Sequence, residues 1–132
     1  MINELKFIFS IKNPTQLKNT RKDDFSLIYS FDTEFFIFAD HNVFFHDKYF
    51  NVFEMIAELK NNIERIEEIE HFAFKSVDYD EPLLEFNKCS DTTWELKSIW
   101  SSVENEKIYF STEMLKKAYK ELCYNANKYL RR

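Results

Sequence analysis

Hydrophobic and polar side chains alternate along several short segments of the chain. In residues 5–11 every second residue is Leu, Phe or Ile, from Leu5 to Ile11, and a repeat of two is typical of a β-strand that buries one face. Residues 34–39 are largely apolar on both faces, which indicates a central strand. Such patterns predict strands at residues 5–11, 25–31, 34–39, 43–46, 71–77, 83–87, 94–100 and 108–110.

Two other segments carry hydrophobic residues at helical spacing. The first is predicted to run from residue 52 to about residue 67, with Asn51 as N-cap and Glu54 as its capping-box partner. Its outer face is acidic. The second helix follows Ser111, a candidate N-cap, and its apolar stripe consists of Leu115, Ala118, Tyr119, Leu122, Ala126 and Tyr129.

The order of these elements predicts an α+β fold. Connections between successive strands are short, as antiparallel hairpins allow and parallel crossovers do not. We therefore expect residues 1–132 to form a single α+β domain, with an antiparallel sheet of about six strands and two helices packed on one face. Asp40, His41 and Asn42 are predicted to form a turn, since Asp and Asn tolerate a positive φ in a chain without glycine.

Composition excludes several function classes. The chain contains no glycine, so it can form neither a P-loop, nor a dinucleotide-binding fingerprint, nor a glycine-flanked nucleophilic serine. The net charge of −5 argues against a nucleic-acid partner. The chain has two cysteines without metal-binding spacing, which indicates reduced thiols in a cytoplasmic protein. No apolar run approaches the roughly 20 residues of a membrane helix, so no membrane partner is expected.

The negative charge is concentrated in the middle of the chain. Between Glu54 and Glu95 there are 12 acidic and four basic residues, a net charge of −8, while the remainder carries +3. This segment is either a solvated face that favours solubility or a docking surface for a basic partner. The candidate partner-binding residues are Glu64, Glu67, Glu68, Glu70, Asp78, Tyr79, Asp80 and Glu81.

Catalytic or metal-binding side chains are sparse. Asp40, His41, His46 and Asp47 are the densest cluster of histidine and carboxylate, a combination suited to general acid–base chemistry. His41 and His46 are five positions apart, which directs them to opposite faces of a strand unless the turn redirects His41. The alternative is that all four are ordinary turn and strand-end residues. We therefore predict no catalytic residue, no metal and no cofactor, and a small enzyme using this cluster remains the alternative.

The two tryptophans could serve either the core or an interface. Trp94 and Trp100 share one face of a predicted strand with Ser98. They could pack beneath the helices or form an exposed surface of a homo-oligomeric adaptor. We expect a monomer or weak dimer.

The segment from residue 72 to residue 100 resembles a known group of proteins. It combines Phe72-Ala73-Phe74, an acidic turn, Leu83-Leu84-Glu85-Phe86 and the strand Trp94-Glu95-Leu96-Lys97-Ser98-Ile99-Trp100. With the amphipathic C-terminal helix, this arrangement is similar to small bacterial immunity proteins of polymorphic-toxin and contact-dependent growth inhibition systems. The resemblance implies a cytoplasmic protein that binds one cognate toxin domain and blocks it. Together with the acidic segment and the lack of catalytic motifs, it leads us to predict a non-enzymatic inhibitor that covers the toxin's active site with its acidic surface, a nuclease with a basic cleft being one candidate toxin. No catalytic residue is implied.

Overall fold

The computed structural model describes residues 1–11, 33–75, 82–98 and 107–130, and confirms the α+β class. The strands are β1 (Leu5–Ile11), β2 (Thr33–Ala39), β3 (Asn42–Phe50), β4 (His71–Phe74), β5 (Leu84–Lys88), β6 (Thr93–Ser98) and β7 (Lys107–Ser111), and the helices are α1 (Val52–Glu64) and α2 (Thr112–Leu130). No helix among the described residues is long and apolar enough to cross a membrane.

The strands form two antiparallel sheets, so the expectation of one sheet of about six strands is wrong. Within the described residues the first sheet has the order β1-β2-β3 and the second β4-β5-β6-β7. The division falls at α1, which leads the chain away from β3 before β4 begins. Alternation along a strand shows which face is buried but not which strand lies beside it, and this is why the sequence did not reveal two sheets.

The two sheets contact each other at both of their edges. Near β1, the backbone N–H of Ile2 donates to the carbonyl of Tyr109 in β7 at 2.9 Å. At the other side, the Phe50 ring at the end of β3 lies 5.2 Å from the Phe74 ring in β4. Helix α2 contacts β1, β7 and α1, and α1 also contacts β4. Residues from both sheets and both helices therefore share one hydrophobic core.

Phenylalanines from successive strands fill much of this core. Phe35 in β2 is fully buried and stacks on Phe50 with ring centroids 4.5 Å apart. The Phe45 ring contacts the Phe35 ring edge-on, with their centroids 6.2 Å apart. Strand β3 extends beyond the predicted residues 43–46 and contains register shifts opposite Thr33/Phe35 and Ile37/Phe38. One shift allows the consecutive residues Phe44 and Phe45 both to be buried, which a regular strand would prevent.

The turn between β2 and β3 depends on Asp40. This is the one non-glycine residue with positive φ in the described chain, at 56°, as the turn prediction required. Its Oδ1 accepts the backbone N–H groups of Asn3 at 2.8 Å and Glu4 at 3.0 Å. The backbone N–H of Asp40 donates in return to the carbonyl of Glu4. Asp40 thereby fixes the segment before β1 to the turn.

The helix starts follow the capping signals, but the end of α1 does not. The side chain of Asn51 accepts the Glu54 backbone N–H at 3.1 Å, and Ser111 Oγ accepts that of Met114 at 3.1 Å, so both predicted caps are confirmed. Helix α1 ends at Glu64 rather than near residue 67. The predicted strand at residues 25–31 lies outside the described residues.

A change in hydrophobic spacing explains the early end of α1. Isoleucines occur at residues 63, 66 and 69, and three residues per turn matches a 3₁₀ turn rather than an α-helix. The backbone follows this pattern in part: the N–H of Ile66 donates to the carbonyl of Ile63 and that of Glu68 to Arg65, whereas the N–H of Ile69 makes an α-type bond to the carbonyl of Arg65. A continuing α-helix would rotate these isoleucines progressively away from the core.

Candidate partner-binding surface

The glutamates after α1 form an exposed acidic surface, which we define as Glu64, Glu67, Glu68 and Glu70. All four are exposed, whereas Ile66 between them is buried. Ile69 is partly buried and packs against the core. Because the isoleucines hold one side of this segment to the protein, its carboxylates are directed to solvent from a fixed backbone.

The charges of the acidic surface are not neutralised locally. No ion pair between described residues involves any of its four carboxylates. The cations in the same stretch, Lys60 and Arg65, are exposed and are likewise absent from those pairs. The four carboxylates outnumber these two cations, so the surface keeps a net negative charge, which generates an attractive potential for a basic partner. The other predicted binding residues, Asp78, Tyr79, Asp80 and Glu81, lie outside the described residues.

The histidine–carboxylate cluster of the alternative hypothesis is divided among separate partners. Asp40 binds backbone N–H groups, as described above. His46 Nε2 lies 2.7 Å from Glu34 Oε2, and its ring stacks on Phe36 at 4.3 Å. Asp47 Oδ1 accepts the Tyr49 backbone N–H at 3.0 Å, and His41 is exposed. Among the described residues, no hydrogen bond joins any two of the four cluster residues, and no group of three potential metal ligands is found.

Trp94 belongs to the core. Its side chain is fully buried, and its ring lies 5.5 Å from that of Phe72. No hydrogen-bond partner for its indole Nε1 is found in the described part of the chain. Trp94 is therefore not available at an exposed oligomer interface, and Trp100 lies outside the described residues.

The two thiols differ in environment. Cys89 is exposed and Cys123 is partly buried. Burial raises the pKa of the Cys123 thiol, although a hydrogen bond from Tyr119 and the positive charge of Lys60 act in the opposite direction. Cys89 Sγ donates to the carbonyl of Asn87 and Cys123 bonds to Tyr119, so neither cysteine forms a nucleophile–base pair with a histidine among the described residues.

A row of polar side chains crosses the outer face of the second sheet, and the sequence did not reveal it. We call His71, Asn87, Glu95 and Tyr109 the polar row. Each comes from a different strand and stands directly opposite its neighbour in the ladder. The alternation of β4 placed His71 on the outer face, because Phe72 and Phe74 are buried. The register between strands, which aligns the row, could not be read from the sequence.

Hydrogen bonds connect three members of the polar row, His71, Asn87 and Glu95. His71 Nδ1 lies 2.6 Å from Asn87 Oδ1, and Asn87 Nδ2 donates to Glu95 Oε1 at 3.4 Å. Desolvation, then the negative charge of Glu95 and a hydrogen bond to it, raise the pKa of the Tyr109 hydroxyl. Glu95 also lies 3.8 Å from Lys107 Nζ. In contrast to the acidic surface, the carboxylate in this row is paired.

Comparison with known proteins identifies one family. No curated protein and no solved structure shows significant similarity to the chain. The family model described as Domain of unknown function (DUF7878) matches residues 5–132. This range includes both sheets, both helices and the acidic surface. The chain therefore belongs to the DUF7878 family.

Proposed function

We propose that this protein is an immunity protein that binds a cognate bacterial toxin domain and blocks its active site without catalysing a reaction. The observation that supports the proposal most directly is the acidic surface. Its four exposed carboxylates lie on an anchored segment and have no ion-pair partner among the described residues. The resemblance of residues 72–100 to immunity proteins specifies the kind of partner.

An uncompensated acidic surface suits an inhibitor of a basic enzyme for a kinetic reason. Long-range attraction can raise the association rate constant to about 10⁸ M⁻¹ s⁻¹ at low salt. An immunity protein must bind before the toxin acts, so rapid association is an advantage. The cost of ordering the surface is small, because Ile66 and Ile69 already hold its backbone in place.

The test uses the C-terminal domain of a large secreted protein encoded next to this gene. Association is measured by stopped-flow fluorescence at several salt concentrations, with wild type and with a Glu67→Lys/Glu68→Lys/Glu70→Lys variant. We expect at least a roughly tenfold slower association at low salt and a weaker salt dependence.

A matched control distinguishes an effect of the acidic surface from an effect of the protein's total net charge. The variant Glu4→Lys/Glu113→Lys/Glu121→Lys makes the same change in net charge at three exposed glutamates elsewhere. We expect it to associate much closer to the wild-type rate. Equal slowing in both triple variants would show that only total charge matters. Absence of any complex with wild type would remove the proposed function.

A further inference from the structure

The orientation of Asn87 is fixed by its two neighbours in the polar row. A carboxylate oxygen can only accept hydrogen bonds, so the nitrogen of the Asn87 amide must face Glu95 Oε1, at 3.4 Å. The amide oxygen then faces His71 Nδ1, at 2.6 Å. An amide oxygen also only accepts. His71 Nδ1 must therefore carry the proton in this hydrogen bond.

This assignment determines the other ring nitrogen of His71. In a neutral imidazole, protonation of Nδ1 leaves Nε2 as an acceptor. His71 is exposed, and within residues 1–11, 33–75, 82–98 and 107–130 no hydrogen-bond partner is found for its Nε2. Glu95 therefore acts through Asn87 to present an unoccupied acceptor at the β4 end of the polar row.

The acceptor lies beside the acidic surface. Glu70 directly precedes His71 in the chain, and its carbonyl accepts the Lys88 backbone N–H at 2.8 Å. That bond fixes residue 70 against β5, the strand that also carries Asn87. Glu70 and His71 are therefore two consecutive exposed residues on a fixed stretch of backbone, one with a carboxylate and the other with an acceptor nitrogen. A guanidinium group, with a positive charge and five N–H donors, is complementary to such a pair.

We propose that His71 is a polar anchor of the partner interface, accepting through Nε2 a hydrogen bond from an arginine of the basic toxin domain, and that Asn87 is its positioning residue. The inference rests on the proposed function and deepens it. The acidic surface accelerates the encounter, whereas His71 contributes a directional contact that slows dissociation. Loss of a hydrogen bond to a charged group predicts an increase in Kd of about tenfold.

The first experiment determines the tautomer of the His71 imidazole in the free protein, without the toxin domain. Long-range ¹H–¹⁵N correlation spectra at pH 8 distinguish the two neutral tautomers of an imidazole and also reveal its protonated form. We expect the Nδ1-protonated form for His71 in the wild-type protein and a shift towards the Nε2-protonated form in Asn87→Leu. A predominantly Nε2-protonated His71 in wild type would overturn the proposal.

The second experiment is a double-mutant cycle with the toxin domain of the neighbouring gene. We expect His71→Ala to raise Kd about tenfold, mainly by faster dissociation. Asn87→Leu should raise Kd by a smaller factor, and should add almost nothing when combined with His71→Ala. The matched control is His41→Ala, which removes an exposed histidine from the β2–β3 turn and should leave Kd unchanged.

The outcomes separate the two proposals. If wild type binds and the lysine triple variant associates slowly, but His71→Ala and His41→Ala bind equally well, only the His71 anchor is refuted. If Asn87→Leu weakens binding independently of His71, the positioning role of Asn87 is refuted. If wild type does not bind the toxin domain, the proposed function fails and the interface role of His71 fails with it.

Discussion

Substitutions at Asp40 test whether a glycine-free chain uses this residue both for its backbone conformation and for its side-chain contacts. Asp40 has φ of 56°, and its Oδ1 accepts two backbone N–H groups from the segment before β1. Asparagine tolerates positive φ and keeps an acceptor oxygen. Glycine tolerates positive φ but has no acceptor oxygen, and alanine provides neither property. The three replacements therefore separate the two contributions.

The structure gives an expected order of stability. Each of the two exposed hydrogen bonds contributes about 1 kcal/mol, and a positive φ costs alanine roughly 1 kcal/mol more. Asp40→Ala should therefore lower the free energy of unfolding by about 3 kcal/mol. Asp40→Gly should lower it by about 2.5 kcal/mol, because it loses the same two hydrogen bonds and the unfolded chain gains entropy worth about 0.5 kcal/mol, although the positive φ costs glycine nothing. Asp40→Asn should lose less than about 1 kcal/mol.

Urea denaturation followed by circular dichroism measures these differences. A loss of 1 kcal/mol corresponds to about 4 °C in Tm for a domain of this size, so thermal melts provide a second measurement. If Asp40→Asn is destabilised as much as Asp40→Ala, the side-chain oxygen does not provide the stability assigned to it. If Asp40→Gly is less stable than Asp40→Ala, the backbone conformation is not a source of strain for alanine.

Two further predictions concern the core and the thiols. Trp94→Phe removes a buried N–H that has no partner among the described residues, but it leaves a small cavity. Because these two effects of about 1–3 kcal/mol oppose each other, the free energy of unfolding should change by less than about 1.5 kcal/mol. Trp94→Ala should lose about 3–5 kcal/mol, and a comparable loss in Trp94→Phe would show that the N–H is in fact bonded. With a chromogenic disulfide at pH 8, Cys89 should react rapidly and Cys123 slowly, because burial raises the pKa of the Cys123 thiol and lowers its thiolate fraction. The variant Cys89→Ser should retain only the slow phase, and a fast phase in that variant would contradict the assignment.

Features determined by neighbouring residues were predictable from the sequence. The caps at Asn51 and Ser111 and the positive φ of Asp40 each depend on a few adjacent positions. The inward-facing side of β1 follows from its alternation. Each of these features is set by local chemistry, which a sequence displays directly.

Features determined by distant residues were not predictable in this way. The division into two sheets depends on which strands pair after α1. The polar row depends on the register between strands. A shift of one residue in the pairing of β4 with β5 would turn the His71 side chain towards the core, so that it would no longer face Asn87. The acidic surface was found because its residues are close in sequence, whereas the polar row draws one residue from each of four strands.

The end of α1 connects the hydrophobic pattern to the proposed binding mode. The isoleucines at residues 63, 66 and 69 place one apolar side chain every three residues. The backbone N–H groups of Ile66 and Glu68 form 3₁₀-type hydrogen bonds in this stretch. The same spacing leaves the positions between them for the glutamates, which must then face solvent. A flexible acidic loop would carry the same charge but would lose conformational entropy on binding. Core packing thus holds the carboxylates in place before any partner arrives, next to a histidine whose acceptor nitrogen is set by the neighbouring sheet.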